Sequence, residues 1–441
     1  MEHEGRDAAG LSRRELVKRA GVGIGGLALS GAAAQPIWAR PLAHGAATTI
    51  KIGFISPRTG PLAGFGEPDP YVLGLARSTL AKGLTIGGKK YGVTILDRDT
   101  QSDPARSGQL AKSLINGSKI DLMLTTSTPE TVNPVADACE AAGVPCISTT
   151  MPWEAWYFGR GAKPGKPSPF KYTFHFCFGV EEFFKAYTHM WPQVKTNKKV
   201  GVMWPNDADG NAIRAALGPL LQKAGYTIVD PGAYEDGTTD YSAQISKFKQ
   251  EGIEIFNTFP IPPDFATFWR QAAQQGLSRQ VKIVQIAKTG LFPSQIEALG
   301  SLGYNLASAA YWGPTWPYKS SLTGITSKQL GDGYTAKTKK QWNQQLGPSL
   351  ALFDVAAAAM RKAGDPKNKK KVAAAMRNLQ VDTPVGHLRW GKGPVPNVVP
   401  TPIPGTQWRK AAKGPFKLDL LFVEHSADPH IPIQTSLRPY S

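Results

Sequence analysis

Ile50-Lys-Ile-Gly-Phe-Ile-Ser56 is a short run of β-branched and apolar residues, closed by Pro57 and followed by the turn residues Thr59-Gly60-Pro61. It reads as a β-strand, and Glu67–Lys82 behind it as a helix. The same alternation continues downstream. Tyr91–Asp97, Ile120–Thr125 and Val144–Ser148 read as strands; Asp103-Pro104 opens a helix running to about Asn116, and Thr131–Ala142 forms another. Strands separated by helical segments predict a parallel sheet with helices on both faces. The pattern breaks at Met151–Lys171, which holds Pro152, Trp153, Trp156, Tyr157, Phe158 and a Gly/Pro/Lys run, and reads as a long aromatic-rich loop. It then restarts, with strands at Lys199–Trp204, Tyr226–Val229, Ile253–Thr258 and Val281–Ile286 and helices at Asn211–Ala224, Tyr241–Glu251 and Asp264–Gln275. The expectation is an α/β protein of two similar Rossmann-like lobes with parallel sheets and a ligand cleft between them. Residues 301–441 are less regular, with helices around Leu350–Lys362 and Lys370–Leu379 and a Pro-rich stretch from Pro394 to Pro404 on which no regular structure is placed.

The chain has 441 residues, 41% of them hydrophobic, enough for large cores in more than one domain. Its N-terminus has a different character. Ser12-Arg13-Arg14-Glu15-Leu16-Val17-Lys18 precedes the uncharged run Gly21–Ala34, with small residues at Ala32, Ala33 and Ala34. This order of charge, weakly apolar core and small-residue exit matches a cleaved twin-arginine export signal, residues 1–39, with Leu16 where Phe is commonest. Cleavage after Ala34 or after Ala39 fits equally. Beyond that segment no apolar run approaches the roughly 20 residues needed to cross a bilayer, so the chain is not expected to span a membrane. The three cysteines, Cys139, Cys146 and Cys177, are too few and odd in number for a disulfide framework. The formal charge of +18 is spread over dispersed lysines, apart from Lys367-Asn-Lys-Lys-Lys371, and no nucleic-acid motif accompanies it. It reads as solvated surface, with no nucleic-acid partner.

In open α/β sheets ligands sit beyond the carboxyl ends of the strands. Those ends here carry Ser56, Asp97, Thr125–Thr128, Ser148–Thr150, Pro205–Asp209 and Phe259–Pro262, a concentration of short hydroxyl and carboxylate groups suited to a small polar ligand. Asn206-Asp-Ala-Asp-Gly210 has part of a calcium-loop pattern but lacks its closing Glu, and His175 and His189 have no paired ligand motif, so no metal or other cofactor is expected. No nucleophile signature is present and no Gly-x-Gly-x-x-Gly opens a helix. The chain reads as a binding protein and not an enzyme.

The segment Ile50–Gly66, with its Thr-Gly-Pro turn, one aromatic and Gly, resembles the opening of type I periplasmic binding proteins, the Leu/Ile/Val-binding-like receptors of ABC importers. Ile86-Gly-Gly-Lys-Lys90, Asp97-Arg-Asp99, Asp103-Pro104, Ala142-Gly-Val-Pro145, Gly237–Ser242 and Asp382-Thr-Pro-Val-Gly386 resemble further family segments in order, the last as the return strand into the second lobe. The resemblance covers about residues 50–390. It implies interleaved lobes, lobe 1 of residues 50–172 and 313–365 and lobe 2 of residues 173–312 and 366–441, a small-molecule ligand held between them, a permease and ATPase complex as partner, a monomeric receptor and a periplasmic location. A ligand-sensing protein for a signalling partner, and an exported enzyme, are the alternative readings.

Position by position, the resemblance places Phe65 where a first-loop aromatic packs on ligand, or else packs its own turn. Ser127 and Thr128 fall where a hydroxyl holds a ligand carboxylate, or else caps a helix. Thr150 falls in the loop after the fourth strand, a further contact position. The next polar clamp falls on Pro152 or Trp153, a second-lobe Tyr is replaced by Asp209, an expected aromatic aligns with Ile261, and the acidic partner of an amino group aligns near Lys288 and Thr289. These departures remove much of a zwitterion clamp. They imply a ligand that is not a standard α-amino acid, such as an aromatic or apolar carboxylate, with Trp153 as an aromatic wall (or as loop packing) and Lys288 facing the anionic end. The export reading has a direct test. Replacing Arg13 and Arg14 together with lysine is expected to leave precursor in the cytoplasm on fractionation; normal periplasmic yield from that variant would overturn it.

Overall fold

The computed structural model of the protein describes residues 48–441, so the arginine pair and the segment after it lie outside the described residues. The first stretch of alternation forms β1 (Ile50–Ser56), α1 (Asp69–Leu80), the short β2 (Leu84–Ile86) and β3 (Lys89–Tyr91), β4 (Val93–Asp99), α2 (Pro104–Asn116), β5 (Leu122–Thr126), α3 (Pro129–Ala142), β6 (Cys146–Thr149), α4 (Trp153–Tyr157) and β7 (Thr173–Phe176). The second forms α5 (Val180–Met190), β8 (Lys199–Met203), α6 (Ala208–Lys223), β9 (Thr227–Val229), α7 (Ser242–Glu251), β10 (Ile255–Thr258), α8 (Pro262–Gln274), β11 (Ile283–Ile286), α9 (Pro293–Glu297) and β12 (Ala307–Ala309). The remainder supplies α10 (Ser327–Thr338), α11 (Leu346–Ala363), α12 (Lys369–Met376), β13 (Gln380–Thr383), β14 (Gly386–Arg389), β15 (Val398–Val399), β16 (Gly405–Lys410) and β17 (Leu418–Phe422).

These strands make two main sheets, ordered β15-β7-β6-β5-β1-β4 and β17-β16-β12-β11-β10-β8-β9. Every pairing in the first is parallel. The second is parallel from β9 to β12, and β16 and β17 extend it antiparallel. The long apolar runs predicted this burial: β5, β6, β8 and β10 are covered on both faces, as helix-flanked parallel strands must be. Ring stacking anchors the helices. Phe54 of β1 lies 5.8 Å from Phe353 of α11, and Phe256 of β10 stacks 4.7 Å from Phe268 of α8. Because α11 packs on α1 and β6, the chain returns to the first lobe after β12. It crosses into the second lobe after β7, and again between β15 and β16.

Several expectations are corrected. β7 and β15 pair within the first sheet, whereas the expected boundaries at residues 172 and 366 put both in the second lobe. Neither announced itself, because Thr173–Phe176 sits inside an aromatic run and Val398–Val399 inside the Pro-rich stretch. Asp382–Gly386 is not a return strand of the second lobe: it is the turn of the β13–β14 hairpin, which pairs only with itself and leans on α11. The loop at Met151–Lys171 contains α4, whose Trp156 and Tyr157 are buried. Cys139, Cys146 and Cys177 are buried free thiols. No helix among the described residues is long and apolar enough to cross a membrane.

Gly66 shows why the first turn is built as it is. A Cβ there would sit 2.1 Å from the carbonyl oxygen of Pro57, so the loop after β1 closes only around a hydrogen. Gly66→Ala is expected to destabilise the protein by roughly 2 kcal/mol or more, read as a lower denaturation midpoint in urea at unchanged slope.

Candidate functional site

The carboxyl ends of the two sheets face each other across a cleft. The lobes touch there through Phe65 edge-on to Phe292, with ring centres 4.9 Å apart, and through Glu130, whose Oε1 accepts from Ala208 N at 3.3 Å. Between them lies a cavity lined from both lobes. Rings dominate its wall. Phe178 stands 4.9 Å from Phe183 and 5.4 Å from Tyr311, and Phe183 stands 5.0 Å from Phe259. Its polar lining is Thr128, Thr150, Asp209 and Lys288.

The first lobe supplies the hydroxyl groups. Thr128 is the N-cap of the 14-residue α3, yet its side chain accepts no capping bond. Its hydroxyl and that of Ser127 are both buried without a partner. Helix capping is therefore not what occupies Thr128, and two unspent hydroxyls at the positive end of a helix dipole form a place for an anion. Thr150 is better supported from behind: Thr126 Oγ1 lies 2.8 Å from its hydroxyl and Gln345 Nε2 3.0 Å. Backbone strain gathers at the same place. Thr150 has φ +81°, Ser127 +151° and Lys288 +44°, conformations that side-chain-bearing residues adopt only when their surroundings hold them.

The second lobe supplies charge, but not the free cation that was expected. Lys288, on the turn after β11, puts its ammonium 2.5 Å from Asp207 Oδ2 and 3.0 Å from Asp209 Oδ2. Burial disfavours its charge, but Asp209, Asp207 and Glu130 outweigh that and hold the ammonium well above the ordinary lysine value. Lys288 lines the cavity as a neutralised partner rather than as an anchor for an anion. Asp207 meanwhile caps α6, accepting from Gly210 N at 2.6 Å, so the pattern resembling part of a calcium loop is a helix cap. Burial pushes Asp209 up to about 7 against the pull of Lys288, and its Oδ1 has no partner.

Of the expected site residues, the structure thus brings together Phe65, Thr128, Thr150, Asp209 and Lys288; Ser127 is buried but does not line the cavity. Thr289 is buried and donates to Pro260 O, and half-buried Ile261 caps α8; neither lines the cavity. Trp153 faces a separate groove with Glu154, Val180 and Leu220, and is not the wall of this site. Trp156 packs on His175 and Phe170, which makes it loop core. The aromatic wall comes instead from Phe178, Phe183, Phe259 and Tyr311. Phe259 is among the strand-end residues already read from the sequence, and Tyr311 follows β12, where the same topology rule could have found it. Phe178 and Phe183 flank a chain crossing and carried no separate signal.

Lys288→Met would leave Asp207 and Asp209 facing each other in a dry pocket, a loss of about 3–5 kcal/mol by analogy with broken buried pairs. Asp209 titrates above its ordinary range in the folded state, so the folded chain holds a proton that the unfolded chain has released between about pH 4 and 7, and this group's contribution to stability falls as pH rises through that window. Without Lys288 that penalty grows. Urea unfolding is therefore expected to show a deficit against wild type that is larger at pH 8 than at pH 5; a deficit independent of pH would show that the triad is not what Lys288 serves.

The comparisons agree with this architecture. The family model described as "Periplasmic binding protein" matches residues 49–411. A leucine-, isoleucine-, valine-, threonine- and alanine-binding protein of Pseudomonas aeruginosa is 24% identical over 347 residues, covering 78% of this chain and 86% of that one. A Leu/Ile/Val-binding protein homolog of Brucella melitensis is 23% identical over 357 residues, covering 79% and 89%. Among solved structures, a solute binding protein of an ABC transporter from R. palustris in complex with 4-hydroxybenzoate superposes with a TM-score of 0.70 at 18% identity, covering 87% of this chain and 98% of that one. A leucine binding protein from Thermotoga maritima gives 0.67 at 18% identity, covering 86% and 99%. With two parallel sheets facing a shared cavity and a family match over most of its length, the chain belongs to the periplasmic binding proteins, of the Leu/Ile/Val-binding type I class.

Proposed function

We propose that this chain is the extracytoplasmic receptor of an ABC importer of the branched-chain amino acid type, which captures a small carboxylate with a planar or apolar body and delivers it to a permease and ATPase complex. The observation that carries this reading is the buried, unspent hydroxyl of Thr128 at the N-terminus of α3, set against a wall of aromatic rings. A carboxylate oxygen would take the Thr128 hydroxyl donor and the helix dipole, while the rings enclose the body. The names of the relatives support the same range, since they include amino-acid receptors and a structure holding an aromatic acid.

The test is a thermal-shift screen of aromatic acids, amino acids, amides and short polyols, followed by calorimetry on the hits, because binding to the folded state raises apparent stability. An aromatic carboxylate is expected to bind. Thr128→Val should weaken it about 10- to 100-fold, the size of a lost hydrogen bond to a charged group. Trp153→Ala, outside the cavity, should leave affinity nearly unchanged. Small-angle scattering should show a smaller radius of gyration at saturation as the lobes rotate together. Polyols or amides binding while every carboxylate fails would overturn the reading.

A further inference from the structure

We infer that at pH 8 the cavity has a defined hydrogen-bond polarity, with a donor at Thr150 and an acceptor at Asp209 Oδ1, and therefore selects carboxylates that also carry a hydroxyl or ammonium donor. This inference rests on the ligand-binding role proposed for the same cavity.

The polarity at Thr150 is set by a buried chain of groups that begins well away from the ligand. Ser349 Oγ donates to Asp69 Oδ1 at 2.9 Å. Its only hydrogen is then spent, so toward Gln345 Nε2, 3.3 Å away, it can only accept. At the other end of the same amide, Tyr311 Oη donates to Gln345 Oε1 at 3.1 Å. Both neighbours thus agree on which way the amide faces. Its two N–H hydrogens have Thr126 Oγ1 at 2.6 Å and Thr150 Oγ1 at 3.0 Å in reach besides Ser349, the shortest contact being to Thr126. Thr126 is fully buried, and its hydroxyl lies 2.8 Å from that of Thr150. Thr126 must donate along that contact, because the reverse arrangement would leave its hydrogen with no acceptor in a dry interior. Thr150 Oγ1 therefore accepts from Thr126, and its own hydrogen remains. Since Thr150 lines the cavity, that hydrogen is offered to the ligand, and a carboxylate oxygen takes it. Gln345 is a positioning residue here, reaching the ligand only through Thr150.

At the second lobe the polarity is opposite. Lys288 serves Asp207 Oδ2 and Asp209 Oδ2, and Asp207 Oδ1 is taken by Gly210 N. Asp209 Oδ1 accepts nothing from the protein, although the residue is only 3% exposed and lines the same cavity. A buried carboxylate oxygen without a donor is unfavourable, and a ligand hydroxyl or ammonium placed there forms a charge-assisted bond. A second carboxylate at this position would be repelled.

The experiment is calorimetry on the full chain at pH 8 with two matched pairs of probes, benzoate with 4-hydroxybenzoate and 3-phenylpropanoate with L-phenylalanine. Within each pair only the donor differs. In at least one pair the donor-bearing member is expected to bind about 10-fold tighter or more, and the pair that shows it tells hydroxyl from ammonium. In Asp209→Asn, Lys288 would hold the amide oxygen, so the amide N–H faces the cavity as a donor and the preference should vanish or reverse. Gln345→Glu replaces the amide donor with an acceptor, which draws the threonine hydrogens inward. It should weaken both members of a pair about 10-fold while leaving their ratio unchanged, a pattern that general loosening of the fold does not produce. Equal affinities within both pairs in the wild-type protein would overturn the inference without need of any variant, as would a preference that survives Asp209→Asn. Failure of all four probes to bind would instead refute the aromatic-carboxylate reading on which the inference rests.

Discussion

Parallel strands all point their carboxyl ends the same way, and that single directional constraint organises the rest of this protein. Each strand of a parallel sheet must be left at the same edge, so the loops that can carry unusual side chains and backbone shapes collect there. When two such sheets are joined by a chain that passes after β7, after β12 and after β15, the two edges are brought to face one another. The cleft is the place where both lobes present their irregular residues. The strained backbone at Ser127, Thr150 and Lys288 follows from this arrangement, since each sits just beyond a strand end and is held by packed elements on both sides.

Much of this was legible in the sequence because alternation between a period of two and a helical period survives on either side of the cleft. Ile50–Ser56, Ile253–Thr258 and their neighbours needed only local reading, and the concentration of hydroxyls after the first-lobe strands pointed to Thr128 and Thr150, which line the cavity. What failed were inferences about direction. A tryptophan next to an expected clamp position looks like a ring for stacking, but Trp153 begins α4 and turns outward into another groove. A lysine at an aligned position looks like a free charge, but two aspartates eighty residues away in sequence consume it, and nothing local to Lys288 announces them. Long-range pairing also hid β7 and β15, which are short and depend on each other and on β6 for their hydrogen bonds.

Gln345 shows the same limit from the opposite side. It stands at the start of α11, more than 190 residues from Thr150, and no spacing rule connects the two. Once folded, it touches both a cavity-lining threonine and Tyr311, which lies just beyond β12 where the chain returns to the first lobe. Residues of this kind transmit geometry without contacting ligand, and they become visible only when donors and acceptors are followed through the buried interior one by one.

The ring-lined cavity also bears on how heat would flow when the site fills. Phe178, Phe183, Phe259 and Tyr311 already brace one another at contact distance, so little reorganisation of the wall is needed. Water confined against such faces finds few polar partners and is poorly hydrogen-bonded. Releasing it to bulk while bringing a ring into dispersion contact favours association through enthalpy rather than entropy at room temperature, and the burial of apolar area gives the heat of binding a negative temperature coefficient.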